Sequence, residues 1–312
     1  VIIACPYCSG ETREILSAPD INRRVSDTIF HLRHCQGCGL NFLADVPADL
    51  GPYYTSDYHY IPKDRAELEQ HLPMQRFKID LLRRFCSGGQ LLEIGPSIGQ
   101  FCALAQESGF AVHAIEMDAA CVSFLRDKLG VTTFQSDDPT SVLQELPVRF
   151  DAICFWHSLE HLPNFWEVLR AARECLAPGG VILIAAPNPQ AFQAKMMGAN
   201  WPHHDLPRHL FGISIPWLKR WGEENGMQME FATTRDEGSI YWNRFSWAMK
   251  FRRLAPRHPF AQRIFWRLGL LFGSLWKPLE DREGKGACYT AIMRRPRSSI
   301  ESDTEERVKL SG

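Results

Sequence analysis

Beyond residue 89 the chain alternates between two kinds of hydrophobic pattern. Runs such as "QLLEIG" (90–95), "AVHAIEM" (111–117), "VTTFQS" (131–136), "FDAICFW" (150–156) and "VILIAAP" (181–187) are largely apolar at odd and even positions alike, the pattern of strands buried on both faces. Between them "IGQFCALAQESG", "DAACVSFLRDKLG" and "NFWEVLRAARECLAPGG" repeat apolar positions at helical spacing. Strand and helix repeated in this way predict a parallel sheet covered on both sides, with right-handed crossovers and any ligand at the carboxyl ends of the strands. "MQMEFATT" (227–234) and "GACYTAIMRR" (286–295) predict two further strands. The expected fold is therefore α/β and doubly wound, with a mostly parallel seven-stranded sheet within 89–295 and a helical insert at 240–280 before the last strand.

The first 45 residues have no such alternation. Cys5, Cys8, Cys35 and Cys38 form two C-x-x-C pairs separated by 26 residues, each on a tight turn that can aim two thiolates at one tetrahedral ion. This predicts a structural zinc ribbon with no open coordination position, because cysteine fills all four. Residues 46–88 predict a connector: "YYTSDYHY" (53–60), whose tyrosines are expected to pack the ribbon on the core, then "KDRAELEQHLPMQRFKIDLLRRFC" (63–86), helical apart from Pro73. The polar end, 296–312, is expected to be disordered.

Charge narrows the function classes. A formal net charge of -1 excludes a whole-surface field for nucleic acid or an anionic membrane and disfavours nucleic acid as a partner. Ten cysteines, four of them in the paired motifs, fit a reducing, cytoplasmic setting. Cys102, Cys121, Cys154 and Cys175 lie among apolar neighbours and read as core filler.

"LLEIGPSIGQF" (91–101) places Gly95 and Gly99 between the first core strand and its helix, where backbone N–H groups and a helix end can approach a ligand. Glu116 ends the second strand 21 residues after Gly95, placed to accept both hydroxyls of a ribose. The dinucleotide spacing G-x-G-x-x-G is absent, which disfavours NAD.

"LLEIGPSIGQF", "AIEMD", "QSDD", "FDAICFWHSLEHLPN" and "CLAPGGVILIAAPN" occur in an order that resembles the class I S-adenosylmethionine-dependent methyltransferases. Within them the likeness is to the broad group of ubiquinone O-methyltransferases and polysaccharide- and natural-product-cluster enzymes. The resemblance implies a Rossmann-like core and S-adenosyl-L-methionine (SAM) as cofactor. It also implies roles: Glu93 and Gly95 at the methionine end, Ser97 and Gly99 in the turn, Glu116 and Met117 at the ribose and adenine, Asp137 at the adenine amino group. Ser97 stands where these enzymes usually carry a glycine. The implied reaction is O-methylation of a small-molecule, glycan or lipid-linked acceptor. Sugar C-methylation, methylation of ribosomal RNA and a non-catalytic, ribbon-based binding role are the alternatives.

Methyl transfer to a hydroxyl benefits from a base near the strand ends. His157 and Glu160 follow the fourth strand, and His209 lies in "NWPHHDLPRHLFGIS" (200–214) after the fifth; all three are catalytic candidates. "HSLEH" also matches the zinc-peptidase pattern H-x-x-E-H, but that site needs both histidines on one long helix, and a strand precedes His157 while Pro163 follows His161. A divalent ion held by His157, Glu160, His161 and His209 is a further expectation, since relatives in the superfamily orient an acceptor hydroxyl on such a cluster. The insert carries eight lysines and arginines between 241 and 279 and no acidic residue, with ten aromatics interspersed. Such a composition fits a lid over an apolar acceptor or a peripheral membrane contact.

Overall fold

The computed structural model describes residues 3–55, 60–255 and 258–297. The polar end thus lies outside the described residues from 298 onward, as do 56–59 of the tyrosine-rich stretch. At the N-terminus β1 (Thr12–Ala18), β2 (Phe30–Cys35) and β3 (Asn41–Leu43) pair antiparallel. The connector helix is interrupted at its proline: α1 (Arg65–Glu69) and α2 (Arg76–Leu82) flank a 3-10 turn, Leu72–Gln75, that contains Pro73.

The core then runs β4 (Gly89–Ile94), α3 (Gln100–Glu107), β5 (Phe110–Glu116), α4 (Ala119–Asp127), β6 (Thr132–Gln135), α5 (Pro139–Glu145) and β7 (Phe150–Trp156). It continues with α6 (Phe165–Cys175), β8 (Leu176–Pro187), α7 (Phe192–Met197), β9 (Phe211–Gly212), α8 (Ile215–Glu224) and β10 (Gln228–Thr233). The insert is α9 (Glu237–Leu254) and α10 (Pro259–Glu280), and β11 (Cys288–Arg294) closes the sheet.

The seven-stranded sheet has the order β10-β11-β8-β7-β4-β5-β6, parallel except where β11 runs antiparallel between β8 and β10. Strand order reverses at β4, which pairs with β5 on one side and β7 on the other, so the crevice for a ligand opens at its carboxyl end. β7 shows why the continuous apolar runs are strands. Ile153 and Phe155 pack into one core layer while Ala152, Cys154 and Trp156 pack into the other, and all five are buried. Cys102, Cys121, Cys154 and Cys175 are buried as expected of core filler.

The ribbon is joined to the core through both backbone and side chains. Its sheet takes a fourth strand from β9, two residues that lie beyond β8 in the chain. Tyr7 packs edge-on against Trp166 and Trp217, with ring centroids 5.5 and 5.0 Å apart. The strongest tie is ionic. Arg208, fully buried, donates to both oxygens of Asp20 from the ribbon (2.7 and 3.1 Å) and both oxygens of Asp205 (2.8 and 2.9 Å).

In the insert, α10 lies so close to α9 that a Cβ on Gly269 would come within 2.6 Å of the Ala248 Cα. Trp247 faces inward, with its indole N–H on Glu280 at 2.6 Å and its ring against Phe272 and Trp276. The opposite side of α10 is apolar and open: Phe260, Ile264, Leu268, Leu271 and Leu275 recur at helical spacing and are 42–72% exposed. No helix among the described residues is long and apolar enough to cross a membrane.

Replacing Arg208 with methionine leaves two buried carboxylates without their counter-charge. The expected cost is about 3–5 kcal/mol of stability, read as a fall in the unfolding midpoint. Arg208→Lys should recover part of the loss, because it restores the charge without the bidentate fork.

Candidate functional site

The turn after β4 is built around two close approaches. Gly95 (φ +72°) sits where a Cβ would lie 2.6 Å from the Cβ of Ser158, and Gly99 (φ +76°) where one would lie 2.4 Å from a methyl of Leu125. Ser97 adopts φ +54°, a left-handed conformation that glycine tolerates more easily. It is held there in part by Glu116: the Ser97 N–H donates to Oε2 at 2.9 Å, while Met117 and Asp118 N–H groups donate to Oε1 at 2.8 and 2.9 Å. These bonds fix the Glu116 carboxylate at the edge of a cavity of about 620 Å³.

All seven residues expected at a cofactor site line or frame that cavity. Glu93, Gly95, Ser97, Glu116, Met117 and Asp137 are on its wall, and Gly99 starts α3 behind it. Glu93 is buried, and burial pushes its carboxyl up to about 7, against the pull of the Cys102 thiol that donates to it at 3.0 Å and of nearby Lys78. Met117 and Asp137 are exposed at the mouth.

His157 stands at the far wall. It follows β7 immediately, in a left-handed conformation (φ +55°), with its N–H on the Ala185 carbonyl at 2.8 Å. It lines the first cavity and also a second one of about 820 Å³, whose walls include Pro187, Trp242, Phe245 and Met249. The Glu160 carboxylate, 1% exposed, lies against this second cavity with His157 Nδ1 at 3.7 Å and His209 Nε2 at 4.0 Å from its Oε1. Burial opposes ionisation of Glu160, yet His157 and His209 outweigh it and hold the carboxyl down to about 2. Burial, and the neighbouring His209, keep the His161 ring neutral, with its pKa lowered to about 4. His161 and His209 pack edge to face, 4.6 Å between centroids.

The expected four-residue ion cluster is narrowed by the geometry. Ligand atoms of Glu160, His161 and His209 lie within 4.8 Å of one another, and His157 is not part of that set. Residues 159–161 form a single 3-10 turn, so the peptidase-like string places no pair of histidines on one helix.

In the ribbon the Sγ atoms of Cys5 and Cys38 are 3.6 Å apart and those of Cys8 and Cys35 are 3.4 Å apart. Tetrahedral zinc with sulfur at about 2.3 Å spaces its ligands roughly 3.8 Å apart, which these thiols fit after small adjustment. The Cys38 N–H donates to the Cys35 sulfur at 3.3 Å, as expected of a metal-binding knuckle.

Several site residues carry no local signal in the sequence. Tyr53 packs on Phe30 between connector and ribbon, but Tyr54 lines the first cavity and its hydroxyl lies 3.1 Å from His161 Nδ1. Lys78, on α2, reaches the same cavity over the Trp156 ring. Trp242 meets His157 and His203 only because the insert folds back over the strand ends.

Known proteins resemble this chain in sequence and fold. A family described as a methyltransferase domain matches residues 68–230, just over half of the chain, and the chain belongs to that family. The ubiquinone biosynthesis O-methyltransferase of Pseudomonas aeruginosa is 27% identical over 154 residues, 46% of this chain and 66% of the relative. That of Xanthomonas campestris is 28% identical over 127 residues, 39% of this chain and 53% of the relative. The chain thus spans a little under two thirds of the first of these relatives and about half of the second. A SAM-dependent methyltransferase from Archaeoglobus fulgidus superposes with a TM-score of 0.50 at 17% identity, covering 74% of this chain and all of that one, which shows a shared fold.

Gly95→Ala tests the turn directly. The added methyl meets Ser158 in a backbone conformation that L-residues avoid, and the expected loss is about 1–3 kcal/mol by chemical denaturation. Gly88→Ala, where nothing lies within 4 Å of the new methyl, should leave the midpoint nearly unchanged.

Proposed function

We propose that this chain transfers the methyl group of SAM to an oxygen of a small, partly apolar acceptor. The observation that carries this reading is a pair of adjoining cavities that share His157: one framed by the glycine turn and Glu116, the other walled by aromatic side chains of the insert. The residues present fit the cofactor. Backbone donors already hold Glu116 by both oxygens and leave it lone pairs for a ribose diol, and at Gly95 a side chain would meet Ser158. Glu93 and Gly95 would hold the methionine end, Met117 would flank the adenine, and Asp137 would accept from its amino group. Bound there, SAM supplies an electrophilic methyl group on a sulfonium.

The chain's own work is then positioning and proton removal. Holding acceptor and donor in line supplies much of the rate, and the two cavities divide that task. His157 takes the acceptor's hydroxyl proton, and the ionised Glu160 near its Nδ1 favours the imidazolium that forms. His209 orients the acceptor side, its Nδ1 held by the His203 carbonyl at 2.9 Å. The zinc ribbon is structural in this reading, bringing Asp20 and β3 to the loop that carries His209. The relatives named for ubiquinone biosynthesis support an aromatic hydroxyl as acceptor. A lipid-linked sugar would use the same apolar wall.

The insert supports a peripheral membrane contact. The apolar ridge of α10 is flanked by Arg263 and Arg267, and no acidic residue interrupts 241–279. An acceptor with a lipid tail would reach the second cavity from that surface.

Three measurements test these readings. By calorimetry, Glu116→Ala should weaken SAM binding about 10- to 100-fold through loss of charge-assisted hydrogen bonds. His157→Ala should keep SAM affinity and lower turnover about 10²- to 10⁴-fold on a responsive acceptor from a panel of catechols and lipid-linked sugars. Unchanged turnover removes His157 as the base. Vesicles containing phosphatidylglycerol should retain the protein and release the Leu271→Glu, Leu275→Glu variant; equal retention of both rejects the membrane contact.

A further inference from the structure

The second cavity carries an excess of positive charge where the ribbon meets the end of α9. Arg23 and Arg252 are on its wall, and Arg24 and Arg253 follow them directly in the chain. The acidic residues on that wall are Glu160, beside His157, and Asp205, both of whose oxygens accept from Arg208. Asp20, the other carboxylate near Arg253, is held by the same guanidinium. Among the described residues Arg24, Arg252 and Arg253 have no ion-pair partner.

These cations are held in place by the fold. The Asp20 carboxylate accepts from the N–H groups of Arg23 (3.1 Å) and Val25 (3.2 Å), which fixes the turn that presents Arg23 and Arg24. Arg253 donates to the Asn200 carbonyl at 3.2 Å and to the Asn22 side-chain oxygen, both neutral, and its Nε is buried without an acceptor. Burial, joined by the charges of Arg24 and Arg252, lowers its pKa to about 10 against the pull of Asp205 and Asp20, so it remains a cation at neutral pH. The Arg252 guanidinium lies over the Trp266 ring, 5.6 Å from its centroid, a contact that leaves its N–H donors to another group. Like charges held this close repel, and an anion among them removes that cost.

The distance to the reacting end says where on a ligand the anion must sit. Trp242, Phe245, Met249 and Arg252 recur along one side of α9 and all line the cavity. Trp242 meets His157, with ring centroids 5.7 Å apart, and the helical rise places Arg252 about 15 Å further along the axis. A hydroxyl at His157 and an oxyanion at Arg252 therefore fit one molecule whose middle lies against Phe245 and Met249. Guanidinium forks match the oxygens of a phosphate, and several cations together suit a group with more than one negative charge.

From this geometry we infer that Arg23 and Arg252 bind a phosphate or diphosphate ester carried by the methyl acceptor itself, with Arg24 and Arg253 adding their charge beside it. The inference deepens the proposed methyl transfer, on which its role rests, and narrows the acceptor to a phosphorylated one, such as a sugar on a diphosphate linkage. An uncharged phenol would leave the cations without a counter-charge.

Inorganic pyrophosphate is the probe, titrated into the full chain by calorimetry at low ionic strength and without SAM. The wild type should bind it with a dissociation constant below about 1 mM, and the Arg23→Gln, Arg252→Gln variant should weaken binding at least about 30-fold through loss of charge-assisted hydrogen bonds. Arg252→Gln alone, with a loss of about 10-fold, serves should the double variant fail to fold. Arg83→Gln, Lys128→Gln removes the same charge from exposed positions elsewhere and should leave binding unchanged. Phosphatidylglycerol vesicles should not displace the probe. A wild type that binds no pyrophosphate overturns the inference, as does equal weakening by the Arg83, Lys128 variant. Displacement by the vesicles also overturns it, since the arginines then belong to a lipid headgroup. The readout is anion binding, so its failure leaves the methyl-transfer reading standing, and a failure of methyl transfer leaves the anion site measurable.

Discussion

The buried guanidinium of Arg208 is the contact on which the arrangement of the site depends. It neutralises Asp20 from the ribbon and Asp205 from the loop after β8, and also donates to the Tyr53 carbonyl of the connector at 3.3 Å. Burial of three charges together is tolerable because each is paired through short, directed hydrogen bonds. The pairing holds the Asp20 carboxyl below its ordinary range despite burial. Three stretches far apart in the chain are thereby fixed to one point.

Functional geometry follows from that point outward. The Arg208 carbonyl faces His161, the next residue is His209, and the Tyr53 contact sets the position of Tyr54 beside His161. Asn22 of the ribbon donates to Pro202 at 2.7 Å and to Asp205, and accepts from Arg253 of α9. Ribbon, histidine loop and insert therefore share one polar network. The small cysteine-rich unit is no detachable module: it supports the wall of the second cavity through Asn22, Arg23 and Val25. Its backbone pairing with β9 gives the same result through hydrogen bonds of the sheet.

The cofactor side rests on a different principle, economy of backbone. Three successive features of one loop, Gly95, Ser97 and Gly99, take left-handed conformations, and Glu116 on the adjacent strand ties the middle one down. Ser97 shows that a glycine is not obligatory there when a carboxylate holds its N–H. Such strain is kept only where surrounding contacts over-determine it. His157, left-handed at the end of β7, belongs to the same class.

Much of this was legible in the chain, and the reason is locality. Doubly buried strands have continuous apolar runs, helix starts carry their caps, and the cysteine pairs and the glycine turn are local motifs whose chemistry follows from spacing, so fold class, candidate cofactor residues and candidate zinc ligands were readable before any coordinates. What sequence could not supply is convergence of residues that are distant along the chain. Nothing local indicates that Tyr54, Lys78 and Trp242 meet near His157, that β9 completes the ribbon sheet, or that His209 rather than His157 joins Glu160 and His161. The string "HSLEH" names its residues and leaves their partners undetermined. By itself the sequence determined the elements and the chemistry available to them, because propensity, periodicity and ligand type act over a few residues. Only the tertiary structure decided which groups face one another, because burial and charge pairing act between surfaces that folding brings together.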